Sequence, residues 1–365
     1  MTIAKHRPIS KRPGPTAEPL STREEMASVL AGAWMVVGLF LDGLAHVELE
    51  PESFFTPSHL VLYSGFVVAT VAGILPVLRR HRAGNPWVNA VPVGHAVTLG
   101  GVALFGLGAV LDLVWHETIG IEVSNEALLS PTHLVLLVGG LAALSGPLRN
   151  GLRGLGPGST RTEWWPASGS LALVSSVAIF FTSYLSPFGR EAAASFPTTR
   201  THTHELNVAN ADAFNQLREI WGIAGVITTT MILVVALLVL LRPALPPVGI
   251  ITAVFLWLAL VAPAIGEYQQ WFAALAVAAG GLATDLVARK IAAAPALAAT
   301  LGATTWSVYF AALAISGDLA WSPALWSGAV FLGVLLAALL GWLATPPPNR
   351  RRPQTTSPGT SNGGD

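Results

Sequence analysis

Ten separate apolar runs, each about as long as a bilayer is thick, restrict this chain more than any other feature. They lie near residues 26–46, 59–78, 91–115, 131–148, 168–188, 217–241, 247–264, 269–287, 298–316 and 323–344. A helix needs roughly 20 apolar residues to cross the hydrocarbon core. Lipid offers no partner for backbone N–H and C=O groups, so such runs must satisfy themselves as helices. The expected fold is therefore all-α: a polytopic integral membrane helix bundle of about ten transmembrane helices. Composition agrees, with 52% hydrophobic and 11% charged residues, against about a quarter charged in soluble domains. The lipid bilayer is the expected partner.

The flanks read differently. Residues 1–25 hold Lys5, Arg7, Lys11 and Arg12 among prolines, and residues 346–365 are rich in Pro, Ser, Thr and Gly. Both read as disordered tails. The run beginning at Met26 is span-length and lacks a small-residue cleavage site, so it reads as a retained span. Cations fall on one side of the alternating runs: the N-terminal tail, Arg79, Arg80, Arg82, Arg149, Arg153, Arg161, Arg242, Arg289, Lys290 and Arg350–Arg352. Acidic loops take the other side, around Glu48, Glu50, Glu52, Glu117, Glu122, Glu126, Glu267 and Asp318. The cation-rich side is expected to be cytoplasmic, with both termini there. The chain thus divides into the basic tail, a region of spans one to four over 26–148, and six further spans over 149–345. That last region carries a long outer loop at 189–216, and the second tail follows it.

Within 26–148 the sequence repeats itself. Leu41-Asp42-Gly-Leu-Ala-His46 is followed by Thr56-Pro-Ser-His59-Leu-Val-Leu, and Leu111-Asp112-Leu-Val-Trp-His116 by Ser130-Pro-Thr-His133-Leu-Val-Leu. A weaker echo, Trp321-Ser-Pro-Ala-Leu, opens the last span without the histidine. A bundle built from repeated helix hairpins is the expectation.

The spacing has a geometric meaning. Residues four apart share a helix face, so Asp42 meets His46 and Asp112 meets His116. The hairpin then returns His59 or His133 to similar depth. Each hairpin brings one carboxylate and two imidazoles to the extracytoplasmic edge. Ionisable groups at membrane depth are costly and mark functional sites. Two imidazoles and a carboxylate suit zinc, copper or iron, and an oxidising outer compartment tilts the choice toward copper. The competing reading is a structural polar cluster, in which Asp and His satisfy each other without an ion.

Asp-x3-His with a second His thirteen residues on, across a hairpin, resembles the metal site of the C subunit of particulate methane and ammonia monooxygenases. That resemblance implies copper held by Asp42, His46 and His59. The second set, Asp112, His116 and His133, departs from the pattern by a loop four residues longer. The likeness spans two hairpins and implies metal binding, not the family's activity.

Other positions carry less. Thr201-His202-Thr-His204-Glu205 lies on the same predicted side as both sets, where His202, His204 and Glu205 either add metal ligands or form a solvated loop. His95 falls at the opposite end, in a structural role. Asp285 and Arg289 are spaced for an i,i+4 ion pair. Tryptophans near span ends, including Trp115, Trp164, Trp165, Trp221, Trp271, Trp321 and Trp326, read as an interfacial belt. Gly100-Gly101 and Gly139-Gly140 read as helix-packing positions.

Several chemistries are excluded. The chain has no cysteine, so disulfides and thiolate sites are absent, and only four methionines, too few for a thioether copper pathway. Zero net charge points to no nucleic-acid partner. Gly154-Leu-Gly-Pro-Gly lacks the preceding strand that a phosphate-binding loop requires, so no nucleotide is expected. Three function classes remain. The first is a metalloprotein supporting oxidation or metal delivery. The second is a proton- or ion-coupled transporter, and the third a structural subunit of a membrane complex.

Overall fold

The computed structural model describes residues 18–47, 56–120, 128–189, 194 and 208–345, with the backbone alone at His46, Val47 and 208–212. The described residues form twelve α-helices and no strand. These are α1 (Thr22–Val47), α2 (Pro57–Arg82), α3 (Trp87–Ala90), α4 (Ala96–Thr118), α5 (Pro131–Leu144) and α6 (Gly146–Gly154). They continue as α7 (Arg161–Phe181), α8 (Val208–Leu241), α9 (Ile250–Val261), α10 (Trp271–Val287), α11 (Ala294–Ser316) and α12 (Pro323–Leu343).

Seven of these helices are long and apolar enough to cross a membrane, and α5 with α6 makes an eighth if that pair is one span. The expected count of ten is thus only partly met, because α9 and α10 are apolar but shorter, at 12 and 17 residues. The α5–α6 pair bends by 40° at Ser145-Gly146-Pro147, where proline removes a backbone donor and crowds the preceding turn. Starts also shift from the hydropathy-based boundaries. Helix α7 begins at Arg161 because Thr160 and Glu163 form a capping box, Glu163 accepting the Thr160 N–H at 2.6 Å.

Helix α7 is the central element, with 78% of its apolar window buried. Its small residues let neighbours approach and bond to it. Ser170 donates to the Leu144 carbonyl at 2.6 Å, Ser176 accepts from the Trp257 indole at 2.9 Å, and Phe180 meets Phe40 edge-on at 5.3 Å. The largest apolar core lies among α7–α12 and includes Trp306, Tyr309 and Phe310. Trp306 donates to Thr230 at 2.8 Å. Trp164 and Trp321 belong to this interior, only 1% and 8% exposed, and so do not join the interfacial belt. Trp165, Trp221 and Trp271 are exposed.

Two hairpins stand out. Along α1 and α2, Asp42 faces Ser58, Gly38 meets the Leu62 backbone and Gly65 meets Met35. Along α4 and α5, Asp112 faces Thr132, Gly108 meets Leu136 and Gly139 meets Phe105. Moving 70 residues along the first helix (42→112) and 74 along the second (58→132) carries one set onto the other. Glycine is needed at these crossings, since a Cβ at Gly38 or Gly65 would strike the opposing backbone. Both hairpins are therefore antiparallel, close-packed and in matching register.

The opposite end of the bundle holds a second polar cluster. His95 approaches both oxygens of Glu25 through Nε2, at 3.0 and 3.1 Å, and Asn150 donates to Glu25 at 2.9 Å. Glu25 is 3% and His95 1% exposed. This interaction ties α1 to the start of α4 and to α6, giving His95 the structural role expected of it. On α10, Asp285 bonds Arg289 at 2.6 Å, as the spacing predicts. Asp285 also accepts from the Gly249 N–H at 2.7 Å and the Thr252 hydroxyl at 3.0 Å, capping the start of α9.

Candidate metal centre

The local sequence explains how α2 and α5 begin. Thr56 and Ser130 adopt extended backbone angles and act as N-caps, each with proline as the first helical residue. Their hydroxyls accept the backbone N–H of His59 at 3.2 Å and of His133 at 3.4 Å. Side chains on the first turn lean back past the helix end. Ser58 and Thr132 therefore reach across to the partner helix, and the histidines hang at the boundary.

In the second hairpin three ligand-type side chains converge. Asp112, His116 and His133 each offer one ligand atom within 4.8 Å of the others. Asp112 Oδ2 lies 3.5 Å from His116 Nε2, and Oδ1 lies 3.7 Å from His133 Nδ1. The two rings stand nearly perpendicular, 83° apart, with centroids at 6.3 Å. Asp112 is 1% exposed, and the His116 and His133 side chains 10% and 20%.

These separations test the fit to a metal. Two donors each about 2.0–2.1 Å from one ion at a tetrahedral angle sit roughly 3.3–3.4 Å apart. The 3.5 Å contact between Asp112 and His116 matches that spacing within a few tenths of an ångström, and both it and the 3.7 Å approach of His133 Nδ1 exceed ordinary hydrogen-bond lengths. Asp112 is also held from outside the triad, because Thr132 donates to Oδ1 at 2.8 Å. Ser130 Oγ stands 2.6 Å from His133 Nδ1. Metal-binding histidines are commonly oriented in this way through the second ring nitrogen. The nitrogen of His133 nearest Asp112 is the one Ser130 engages, so coordination through Nε2 requires the ring to turn. The residue types, count and spacing fit a divalent ion.

The first hairpin repeats much of this. His59 Nε2 lies 3.4 Å from Asp42 Oδ2, Ser58 donates to Asp42 Oδ1 at 2.9 Å, and Thr56 Oγ1 sits 2.9 Å from His59 Nδ1. Here the cap hydroxyl engages Nδ1 and leaves Nε2 toward the carboxylate. His46 is on α1, but its side chain lies outside the described residues, as do His202, His204 and Glu205. Glu267 and Tyr268 take left-handed backbone angles in the turn before α10, with φ of 51° and 59°. Among the described residues, the second hairpin's triad is the one group of three that could hold a metal.

The two hairpins meet along α2 and α4. Phe66 packs on Phe105 with ring centroids 4.9 Å apart, and Gly73 faces Thr98 and Leu99. His59 is seven residues before Phe66 and Asp112 seven after Phe105, so antiparallel packing sets them at one level. Tyr63 stacks on His59 with centroids at 5.8 Å.

Reading ligand types alone passed over the hydroxyls of Thr56, Ser58, Ser130 and Thr132. The signal was present in Thr-Pro-Ser-His and Ser-Pro-Thr-His, where cap and carboxylate partner alternate with proline and histidine. In α12 only the cap survives, Ser322 accepting the Leu325 N–H at 3.3 Å. No family model, curated protein or solved structure matches the chain; what is established is a multi-pass helical architecture with a buried Asp-His-His group able to hold a metal.

Proposed function

We propose that this protein is an extracytoplasmic-facing membrane metalloprotein that binds copper, or another divalent ion, at Asp112, His116 and His133. A second ion binds at Asp42, His46 and His59. One observation carries the reading: three ligand atoms from two helices within 4.8 Å of one another, braced by Thr132 and Ser130. The matched crossings of the two hairpins support a duplicated unit. The likeness to the monooxygenase C subunit supports copper; oxidation chemistry or metal delivery is the role such a site would serve.

The same reading includes ten crossings, with α9 and α10 each contributing one. Arg79, Arg80, Arg82, Arg149, Arg153, Arg161, Arg242, Arg289 and Lys290 all belong to the end opposite the triad. The positive-inside rule then puts both termini in the cytoplasm.

A structural reading has its own observation. Ser58 to Asp42 and Thr132 to Asp112 already close each hairpin without an ion. Metal analysis of the purified, reconstituted protein separates the two. The metalloprotein reading expects one to two equivalents of bound copper or zinc, with the second site's share lost in His116→Ala/His133→Ala. Background metal in the folded wild type, with unfolding unaffected by added ion, leaves the structural reading standing.

A further inference from the structure

The two hairpins are equivalent in register but not in every side chain, and one difference falls beside a histidine. Offsets of 70 and 74 residues pair Met35 with Phe105 and Leu62 with Leu136, and these four make one buried cluster between the hairpins. Leu39 and Ala109, again 70 apart, pack against it. Glu25 and His95 are also 70 apart and bond each other at the opposite end. The same register sets Tyr63 of α2 against Leu137 of α5, each four residues after the histidine of its hairpin.

Residues four apart are neighbours on a helix face, so this position flanks the imidazole. In α2 it supplies a ring: Tyr63 lies nearly parallel to His59, with 13° between the planes, and is itself packed against the buried cluster. In α5 it supplies Leu137, which packs on the cluster shared by α1 and α7. The terminal torsion of histidine is broad and roughly two-fold, so neighbours choose which nitrogen faces the carboxylate. Both rings meet a cap hydroxyl through Nδ1, Thr56 at 2.9 Å and Ser130 at 2.6 Å. His59 turns Nε2 toward Asp42 at 3.4 Å, whereas the nitrogen of His133 nearest Asp112 is Nδ1, at 3.7 Å. His59 thus stands ready to coordinate through Nε2, and His133 must turn to do so.

We propose that Tyr63 is a positioning residue that fixes the His59 ring with Nε2 toward the ion. It makes the α1–α2 site the one that retains its ion, and leaves the α4–α5 site the one that gives its ion up. This rests on the metalloprotein reading and adds a division of labour between the two sites. Only the ring face of Tyr63 is used, so phenylalanine serves equally. A ligand ordered in advance avoids the cost of ordering it on binding, which for one side chain is roughly 2–12-fold in affinity.

The test is competition for copper(II) between the full-length protein and a chromophoric chelator, with an electron paramagnetic resonance spectrum of each loaded site. Asp112→Asn leaves the first site to be observed, and His59→Ala the second. The first should bind more tightly by roughly 2–12-fold. Tyr63→Leu should bring it down to the level of the second and alter its spectrum, and Tyr63→Phe should keep both as in the wild type. Leu137→Tyr should tighten the second site, and it leaves α2 untouched should Tyr63→Leu fail to fold. Equal affinities at the two sites overturn the proposal, as does an unchanged spectrum in folded Tyr63→Leu or no tightening in folded Leu137→Tyr. Tyr63→Phe behaving like Tyr63→Leu overturns it too. Copper absent from the wild type defeats the metalloprotein reading itself, whereas two bound ions indifferent to Tyr63 defeat this proposal alone.

Discussion

Replacing Asp112 by Asn separates the role it is seen to have, holding the hairpin, from the one proposed for it, holding an ion. Asn has the same shape, and its amide oxygen still accepts the Thr132 hydroxyl, 2.8 Å from Asp112 in the native protein. That bond contributes about 1 kcal/mol, so metal-free stability should change by no more than about that amount. The anionic oxygens are lost, however. Asp112 alone approaches both rings, at 3.5 and 3.7 Å, whereas the ring centroids are 6.3 Å apart. Without it, two imidazoles remain with nothing between them. An ion present at a hundred times its dissociation constant stabilises the folded state by about 2.7 kcal/mol. The experiment uses a His59→Ala background, so that the α1–α2 site contributes little. Unfolding by SDS in mixed micelles is followed by circular dichroism, with and without copper(II) at matched free concentration. The metal-dependent gain of about 2.7 kcal/mol should fall close to zero in Asp112→Asn. An undiminished gain in the variant would refute the assignment of Asp112 as the central ligand.

Two further substitutions probe the surroundings. Ser130→Ala removes both the cap on α5 and the hydroxyl beside His133 Nδ1; stability should drop by about 1 kcal/mol. Affinity for copper, measured by competition with a chromophoric chelator, should fall roughly 10–100-fold, and unchanged affinity would show that the ring is oriented by something else. Glu25→Ala leaves buried His95 and half-buried Asn150 without their shared acceptor and should cost about 3 kcal/mol. Bound metal should stay at the wild-type level, since this cluster lies at the far end of the helices; a parallel loss of metal would contradict that separation.

Parts of the site were legible in one dimension because they depend on local spacing. Asp112 and His116 lie four apart on a helix, and their 3.5 Å approach follows from helical pitch. The arrival of His133 needed only a hairpin whose second helix starts at Ser130-Pro131. The hydroxyl supports were harder to foresee, because serine and threonine at helix starts usually serve only their own helix. The reach of Ser58 and Thr132 across to Asp42 and Asp112 depends on how closely the helices approach. The span count of ten is only partly met for a related reason: apolar runs show that a segment is buried in something, but not whether lipid or protein surrounds it. The shorter α9 and α10 contribute many residues to the interior shared with α7, α8, α11 and α12.

By itself, the sequence determined that this protein is helical and membrane-embedded, because apolar length and scarce charge leave the backbone no other solution. It also determined which carboxylates and imidazoles share a helix face, since that is a matter of pitch. Only the tertiary structure decided that Gly38, Gly65 and Gly108 draw each pair of helices together. It decided, too, that α2 packs on α4 so that His59 and Asp112 share a level, and that Glu25 finds His95 across the bundle. Those outcomes depend on contact between residues far apart in the chain, where close packing rather than local spacing selects the neighbour.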